Sequence, residues 1–281
     1  MLREIDVADI TTAVAQLAQD ANYNLGDDVY QSLHKAFMQE TSPAGKNALA
    51  QIICNADIAK SEHVPMCQDT GFAVIFVEIG QDVHLVGGDL ALAIHAGVRK
   101  GYSQGYLRNS IVADPLQRIN TNDNTPAIIH IEIVPGNQLK LIMAPKGGGS
   151  ENMSSVKMLK PADGAKGIVD FVVETARLAG SNPCPPIIIG VGIGGTFEKV
   201  AYLAKKALLR ELGEPHPQPF YARIEQDILE QVNRLGIGPQ GFGGRTTALA
   251  VHIETFPAHI ATLPVAVNIN CHAARHKERI L

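Results

Sequence analysis

The sequence predicts an α+β fold, with N-terminal helices followed by a mainly antiparallel sheet flanked by helices, in one domain over residues 1–281. Three observations support this prediction. The first 64 residues repeat apolar side chains at helical spacing. The later apolar segments are short and rich in Ile and Val, which is typical of strands. These strands mostly follow one another, which favours antiparallel sheet over a βαβ repeat.

Capping residues and apolar spacing mark the predicted helices. Asp6 or Asp9 can cap the first one, and Ser42-Pro43 starts the third, with proline at an early helical position. Cys54 falls among Leu and Ile side chains of that third helix, so we expect a buried thiol there. The predicted helices cover residues 6–17, 27–38, a segment from 42 onward, 89–100, 163–179, 196–212 and 218–235.

Glycine, proline and asparagine bound the predicted strands. Residues 127–134 and 139–143 alternate around Pro135-Gly136, which is typical of a β-hairpin. Residues 190–195 indicate a tight glycine loop between a strand and a helix, and residues 236–244 indicate a second glycine loop. The remaining predicted strands cover residues 72–79, 187–189, 248–253 and 263–269.

Composition and charge exclude several classes of protein. Hydrophobic residues make up 46% of the chain, and the core must use Ile, Val, Leu and Ala because Trp is absent. The net charge of −4 argues against nucleic acid as the main partner. The longest apolar runs fall far short of the ~20 residues of a membrane helix. The N-terminus reaches acidic residues before any apolar run, so we expect no signal peptide and a cytoplasmic protein.

Three of the four cysteines, Cys67, Cys184 and Cys271, lie beside prolines or polar residues at the ends of predicted elements. Disulfides are uncommon in the cytosol, and the wide spacing does not match the close pairs of structural zinc sites. Thiolates are soft ligands that suit iron–sulfur clusters. Three thiolates on a cubane cluster would leave one iron open as a Lewis acid for a hydroxy acid. Spacing alone leaves this hypothesis open.

Other short motifs permit alternative functions. Residues 190–195 match G-x-G-x-x-G, and a nucleotide-binding oxidoreductase is one alternative, although no strand with an acidic end follows. Residues 238–246 lack the lysine of a phosphate loop. Asp69-Thr70-Gly71 matches the triplet of aspartic proteases, but the sequence has no second copy. A non-catalytic accessory or metal-storage protein is a further alternative.

Five segments carry a resemblance to a known family. They are residues 67–71 (CQDTG), 146–152 (KGGGSEN), 183–186 (PCPP), 236–241 (GIGPQG) and 258–272. They closely resemble class I fumarate hydratases and, more narrowly, the alpha subunit of the two-subunit iron–sulfur form, a relative of the tartrate dehydratase alpha subunit. The resemblance runs in order across nearly the whole chain and implies the alpha-type fold of the iron-dependent fumarases.

The resemblance also implies roles for individual residues. It implies a 4Fe–4S cluster held by Cys67, Cys184 and Cys271. It implies substrate contacts from Gln68, Asp69, Arg108, Gly149, Ser150 and Asn152. Asp69 would move a proton at the substrate hydroxyl, and Arg108 would clamp a carboxylate through its planar fork of donors. His259, the second catalytic residue, would hydrogen-bond near the leaving hydroxyl.

The implied reaction is the reversible hydration of fumarate to (S)-malate, a step of the tricarboxylic acid cycle. The alpha subunits of tartrate dehydratase and of mesaconate or citramalate hydratase are the alternatives, because a few pocket contacts can decide between such substrates. In this family the base that removes the carbon-bound proton lies in a C-terminal domain, and this chain ends ten residues after Cys271. We therefore expect a separate beta subunit, an α2β2 assembly and no activity from this chain alone.

Overall fold

The computed structural model describes residues 2–281, which divide into two compact units. Unit 1 comprises residues 2–25, 55–148 and 275–281, and unit 2 comprises residues 26–54 and 149–274. Both contain helices and sheet, so the predicted α+β class is confirmed. The described sheets are mixed, with four antiparallel and three parallel strand pairs. The single domain over residues 1–281 stays a prediction.

The helices and strands are numbered in chain order. They are β1 (Arg3–Asp6), α1 (Val7–Tyr23), α2 (Asp27–Gln39), α3 (Pro43–Glu62), β2 (Phe72–Gly80), β3 (Val83–Val86), α4 (Leu90–Gln104), β4 (Ile128–Val134), β5 (Leu139–Lys146), α5 (Gly148–Glu151), β6 (Ser155–Leu159), α6 (Gly164–Ala179), β7 (Ile187–Gly195), α7 (Phe197–Ala207), α8 (Pro219–Arg234), β8 (Ala248–Ala258), β9 (Leu263–Asn270) and β10 (Lys277–Ile280).

Unit 1 packs α1 and α4 on one face of a four-stranded sheet of order β10-β5-β2-β4. Asp6 caps α1, as expected, because its carboxylate accepts a hydrogen bond of 2.8 Å from the Ala8 N–H. The apolar faces of both helices bury Ile10, Val14 and Ile94 against the odd-numbered residues of β2 and β5. β1 and β3 form a separate parallel pair.

The predicted hairpin of β4 and β5 is wrong, because β2 lies between the two strands. β2 pairs in parallel with β4 and antiparallel with β5. The turn at Pro135-Gly136 has the local pattern of a hairpin, but its flanking strands bond to a common neighbour rather than to each other. Non-local pairing therefore overrides the turn pattern.

Unit 2 has a second four-stranded sheet, of order β6-β9-β7-β8. α6 and α8 cover one face, where they bury Val172, Ile228 and Val232 against the odd-numbered residues of β7. α7 covers the other face and packs Val200 and Ala204 against Ala266. α7 ends at Ala207, earlier than the predicted residue 212.

Residues 190–195 belong to strand β7, so the predicted glycine loop is wrong. The backbone of α7 lies directly against this strand. A Cβ at Gly190 would lie 2.1 Å from the Ala204 carbonyl oxygen, and one at Gly192 would lie 2.2 Å from the Val200 carbonyl oxygen. These glycines therefore allow close helix–strand packing, which explains the G-x-G-x-x-G spacing without a dinucleotide.

Helix α3 places Cys54 on its exposed side, so the expected burial of this thiol is wrong. The buried stripe of the helix passes through Leu49, Ile53 and Ala56. A helix turns by about 100° per residue, which moves the residue after Ile53 off that stripe. Among residues 2–281, no helix is both long and apolar enough to cross a membrane.

Candidate active site

Two of the motif segments meet at one end of the unit 1 sheet. Residues 67–71, called the CQDTG loop below, precede β2, and residues 146–148 lead from the last residue of β5 to the first residue of α5. β2 and β5 are antiparallel, and Phe72 at the start of β2 pairs with Lys146 at the end of β5. Gly71 has a φ of +76°, and a Cβ there would lie 2.7 Å from the Lys146 backbone. Glycine is required at this position for both reasons.

The Asp69 carboxylate joins the two segments. Oδ1 accepts a hydrogen bond of 3.1 Å from the Gly71 N–H, and Oδ2 accepts one of 2.8 Å from the Gly148 N–H. The side chain is half-buried, so it combines two structural hydrogen bonds with access to solvent. Gln68, the preceding residue, is exposed. Gln68 and Asp69, the predicted substrate-binding pair, therefore lie on the solvent-accessible side of a loop that hydrogen bonds hold in place.

Thr70 anchors Arg108, the predicted carboxylate clamp. Thr70 is 1% exposed, and its Oγ1 accepts a hydrogen bond of 2.9 Å from the Arg108 N–H. The same hydroxyl donates to the Arg108 carbonyl oxygen at 3.3 Å. The Arg108 residue itself is exposed. Sequence reasoning assigned no role to Thr70, because a side chain that bonds a distant backbone leaves no local pattern.

Buried side chains also hold the carbonyl groups of the CQDTG loop. The Tyr102 hydroxyl donates to the Thr70 and Gly71 carbonyl oxygens at 2.9 and 3.1 Å. Asn124 donates to the Gly71 carbonyl at 3.2 Å, and Arg275 donates to the Asp69 carbonyl at 2.6 Å. Burial raises the pKa of Tyr102 far above its ordinary value, which keeps the phenol protonated as a donor.

Unit 2 brings together two of the three predicted cluster ligands. Cys184 precedes β7 by three residues and Cys271 directly follows β9. These strands are antiparallel and pair Ile188 with Asn270, so both cysteines lie at the same end of the sheet. Cys184 has a φ of +56°, a left-handed backbone conformation that non-glycine residues rarely adopt and that occurs often at functional sites.

Gln240, from the GIGPQG segment, braces this end of the sheet. Its Nε2 donates to the Pro185 carbonyl oxygen at 2.8 Å and lies 3.1 Å from His272 Nδ1. His272 in turn donates its backbone N–H to the Cys184 carbonyl oxygen at 3.3 Å. Sequence reasoning dismissed residues 238–246 as a phosphate loop and used residues 236–241 as a family motif, but it gave Gln240 no role and missed the brace, although Cys271-His272 already stood out as a pair.

Residues 149–154 lie along the same end of the unit 2 sheet. Glu151 accepts hydrogen bonds from Lys205 at 2.7 Å and from Asn268 Nδ2 at 2.8 Å. The Ser154 hydroxyl lies 2.8 Å from the same Nδ2. In this segment Gly149 and Asn152 are exposed and Ser150 is 5% exposed. Unit 2 therefore gathers Cys184, Cys271 and the predicted contacts at 149–152 at one sheet end.

His259 lies at the opposite end of that sheet. It follows β8, whose last residue, Ala258, pairs with Gly195 at the far end of β7. Cys271 lies beyond Ile188 at the near end. At ~3.3 Å per residue, the strand separates the two by roughly 23 Å. The unit therefore does not bring His259 to its cysteines, and the catalytic role of His259 stays a prediction.

The cysteine environments are compatible with thiolate ligands. The Asp69 N–H donates to Cys67 Sγ at 3.4 Å, a bond of the kind that tunes cluster thiolates. Cys67 and Cys271 are half-buried, Cys184 is exposed, and none of the three is in a disulfide. Within the described part of the chain, no group of three or more His, Cys, Asp or Glu side chains is placed to hold a metal ion.

A cavity of about 850 Å³ lies elsewhere in unit 2, between α2, α8 and β8. Its lining includes Lys35, Arg223 and His252. None of the sequence-predicted site residues lines it. The cavity is therefore not the candidate active site.

Comparisons with known proteins agree with the resemblance of the motif segments. A family model described as fumarate hydratase (Fumerase) matches residues 11–280. A Methanocaldococcus jannaschii protein, provisionally named L(+)-tartrate dehydratase subunit alpha, is 43% identical over 272 residues, 95% of this chain and 95% of that protein. The Escherichia coli K12 L(+)-tartrate dehydratase subunit alpha is 35% identical over 272 residues, 95% of this chain and 88% of that protein.

These similarities define the class of enzyme as a hydro-lyase, which adds water to a substrate or removes it. The family match covers nearly the whole chain, including every motif segment described above. The chain belongs to the fumarate hydratase family.

Proposed function

We propose that this chain is the alpha subunit of an iron–sulfur hydro-lyase that hydrates fumarate to (S)-malate reversibly. The observation that carries the proposal is the meeting of the CQDTG loop with residues 146–148, through the bond between Asp69 and the Gly148 N–H. This contact holds the loop with the Asp69 carboxylate, the Gln68 side-chain amide and the Cys67 thiol at one end of the unit 1 sheet. The chain that carries these groups belongs to the fumarate hydratase family. A hydroxy acid substrate needs such groups around its reacting carbon atoms.

Cys67, Cys184 and Cys271 would hold a 4Fe–4S cluster. Their thiol chemistry, their accessibility and the N–H bond to Cys67 Sγ support this assignment. When bound, such a cluster with one open iron supplies a Lewis acid for the substrate hydroxyl. Gln240 and His272 would hold the Cys184 backbone in place for ligation.

The chain's other residues would bind and orient the dicarboxylate. Arg108, held at its backbone by Thr70, would clamp one carboxylate, and Gln68 would bond the substrate beside it. Gly149, Ser150 and Asn152 would offer close backbone and side-chain contacts. Asp69 would accept or return the proton of the hydroxyl group, since its half-buried carboxylate keeps access to solvent. His259 would act near the leaving hydroxyl.

A beta subunit would complete the site, in an α2β2 assembly in the cytoplasm. The relatives from M. jannaschii and E. coli are both named as alpha subunits, which supports a second type of chain. This partner would carry the base that removes the carbon-bound proton. The alpha chain alone would therefore be inactive.

Dehydration of L(+)-tartrate is the second candidate function. The names of both relatives favour it directly. Tartrate differs from malate by one hydroxyl group, and a site built to hydrogen-bond that group rejects a substrate without it by roughly 10⁴-fold. Steady-state kinetics of the two-subunit enzyme with malate, fumarate and L(+)-tartrate would separate the candidates. A higher kcat/KM for tartrate would transfer the proposal to the tartrate reaction.

The test of the proposed function starts with anaerobic reconstitution of the full chain with iron and sulfide. We expect the broad visible absorption of a cubane cluster. Cys184→Ser should lower the cluster content strongly. Cys54→Ser, at an exposed cysteine outside the motif segments, is the matched control and should leave it unchanged. Full cluster content in Cys184→Ser would contradict the ligand assignment.

A further inference from the structure

Strand β4 forms one edge of the unit 1 sheet and presents apolar side chains to solvent. It reads IIHIEIV, and its Ile131 and Ile133 are 54% and 73% exposed. Edge strands offer unpaired backbone N–H and C=O groups to other chains, so proteins shield them with charge, short length or covering elements. β4 is seven residues long, is largely apolar and contains no proline or lysine.

Two other edge strands of the four-stranded sheets, β10 and β8, carry such protection. β10, at the opposite edge of the same sheet, has four residues and reads Lys-Glu-Arg-Ile. At the edge strand β8, Asn233 bonds both the N–H and the C=O of Ala248. Glu225 accepts a hydrogen bond of 2.7 Å from the Ile253 N–H of the same strand. β4 lacks such protection, so we expect a specific partner to cover its exposed apolar surface.

The core of unit 1 continues onto this edge. Ile129 packs against the buried cluster beneath α1 and α4. Ile131 and Ile133 follow on the same face, because side chains alternate along a strand. In register they lie beside Val77, which is buried, and Ile79, which is partly buried. A second apolar strand beside β4 would cover this row and extend the core.

We propose that β4 pairs antiparallel with β4 of a second copy of this chain, about a two-fold axis at Ile131. The strand is self-complementary in this register. Ile129 lies opposite Ile133 of the second copy, which continues the apolar row across the axis. On the other face, His130 lies opposite Glu132 of the second copy, and symmetry repeats this pair. The exposed apolar row of one β4 thus meets the same row of the other, and this self-complementarity favours another β4 as the occupant.

Cysteine cross-linking tests the register without any need for activity or cluster. In Ile131→Cys the two new thiols face each other across the axis, so mild oxidation of the full chain should give a disulfide-linked dimer on a non-reducing gel. Ile128→Cys is the matched control, because Ile128 is 41% exposed and lies on the same strand. In the proposed register its two copies lie roughly 20 Å apart, too far for a disulfide.

Oxidation of the wild-type chain measures the background of cross-linking through its own four cysteines. Equal cross-linking of Ile128→Cys and Ile131→Cys, or none in either, would overturn the proposal. The same oxidation is repeated on the complex with the proposed beta subunit, and a cross-link from Ile131→Cys to that subunit would also overturn the proposal, because another chain would then occupy the edge.

Sedimentation equilibrium tests the same pairing by a different route. Ile131→Lys places two ammonium groups against each other at the axis, and we expect self-association to weaken at least ~10-fold. Leu178→Lys is the control, because Leu178 is 67% exposed on α6 of the other unit. Unchanged association of folded Ile131→Lys would contradict the proposal. Circular dichroism establishes that the variants are folded.

Discussion

Thr70 and Arg108 are joined by a reciprocal pair of hydrogen bonds. The buried Thr70 hydroxyl accepts from the Arg108 N–H at 2.9 Å and donates to the Arg108 carbonyl oxygen at 3.3 Å. Tyr102 meanwhile holds the Thr70 carbonyl group at 2.9 Å. The CQDTG loop and the backbone of the proposed carboxylate clamp are therefore one connected structure.

The first prediction concerns this connection. Thr70→Val keeps the shape of the side chain and removes the hydroxyl, so the Arg108 backbone loses both bonds. We expect KM for the dicarboxylate to rise roughly tenfold, as expected for a misplaced clamp, with a smaller change in kcat. Thr70→Ser retains the hydroxyl and should restore the KM of the wild type. Equal KM values in Thr70→Val and Thr70→Ser would show that the bonds do not position Arg108 for binding.

The local sequence pattern was sufficient for most elements but not for strand pairing. Asp6 and the apolar stripe behind it define α1, and residues 72–79 form most of β2. The position of β2 between β4 and β5 depends on pairs such as Val74 with Ile128, which are distant along the chain. A short turn pattern contains no information about such partners, so the hairpin prediction was wrong.

The prediction of glycine segments and of site residues from the sequence is limited in a related way. The glycines of β7 allow close contact with α7, yet a tight loop would use the same residue type. The resemblance predicted the CQDTG loop and residues 146–152 as parts of the site. In the structure these residues lie at the ends of sheets. Thr70 and Gln240 act on backbone groups of distant residues, and such contacts leave no mark in the local sequence.

A second prediction separates the structural and chemical roles of Asp69. Asp69→Asn replaces one carboxylate oxygen by an NH2 group, so one of the two N–H donors from Gly71 and Gly148 loses its acceptor. We expect the free energy of unfolding to fall by about 1–2 kcal/mol. Gln68→Ala, at the exposed neighbour, should change it by less than ~0.5 kcal/mol. Urea unfolding measures both.

Activity of the two-subunit enzyme completes this test. If Asp69 carries the proton, Asp69→Asn should lose far more activity than its stability change explains, roughly 100-fold or more. Full activity in a destabilised Asp69→Asn enzyme would leave the residue with its structural role only.

A third prediction concerns the acid stability of unit 2. Glu40 is 4% exposed, and its carboxylate accepts hydrogen bonds from the N–H groups of Thr41, Ser42, Arg245 and Thr246. Burial alone raises the pKa of Glu40, but these four donors outweigh burial and lower it below the ordinary value of 4.5. The folded state therefore favours the ionised form.

The sign of the pH effect follows from this depressed pKa. The contribution of Glu40 to stability is complete above pH 4.5 and is lost as the pH falls through the folded-state pKa. Glu40→Gln should lower the free energy of unfolding by about 2 kcal/mol at pH 7 and by less at pH 3.5. Glu62→Gln, at the exposed end of α3, should change neither value. A loss that is equal at both pH values would contradict the prediction.

A fourth prediction concerns the brace at Cys184. Gln240→Glu keeps the length of the side chain but replaces the side-chain donor to the Pro185 carbonyl oxygen, which the Gln240 backbone N–H continues to bond at 2.8 Å. An oxygen facing that carbonyl is repelled, so we expect the backbone at Cys184 to shift and the cluster to be lost faster on exposure to oxygen. The decay of visible absorption measures this rate. Gln68→Ala, which leaves this brace intact, should decay as the wild type does.

The last prediction concerns Gly149, where a substitution should affect substrate binding but not the stability of the fold. A Cβ at this position would approach only the Asn182 carbonyl oxygen, at 3.8 Å, an ordinary van der Waals distance. The fold itself therefore has room for alanine, and Gly149→Ala should change the free energy of unfolding by less than ~0.5 kcal/mol. If glycine stands there because substrate approaches the backbone, the same change should raise KM by roughly tenfold or more. Gly71→Ala is the opposite case, because its Cβ would lie 2.7 Å from the Lys146 backbone, so it should unfold at lower urea concentration. Unaltered KM in Gly149→Ala would remove this glycine from the proposed site.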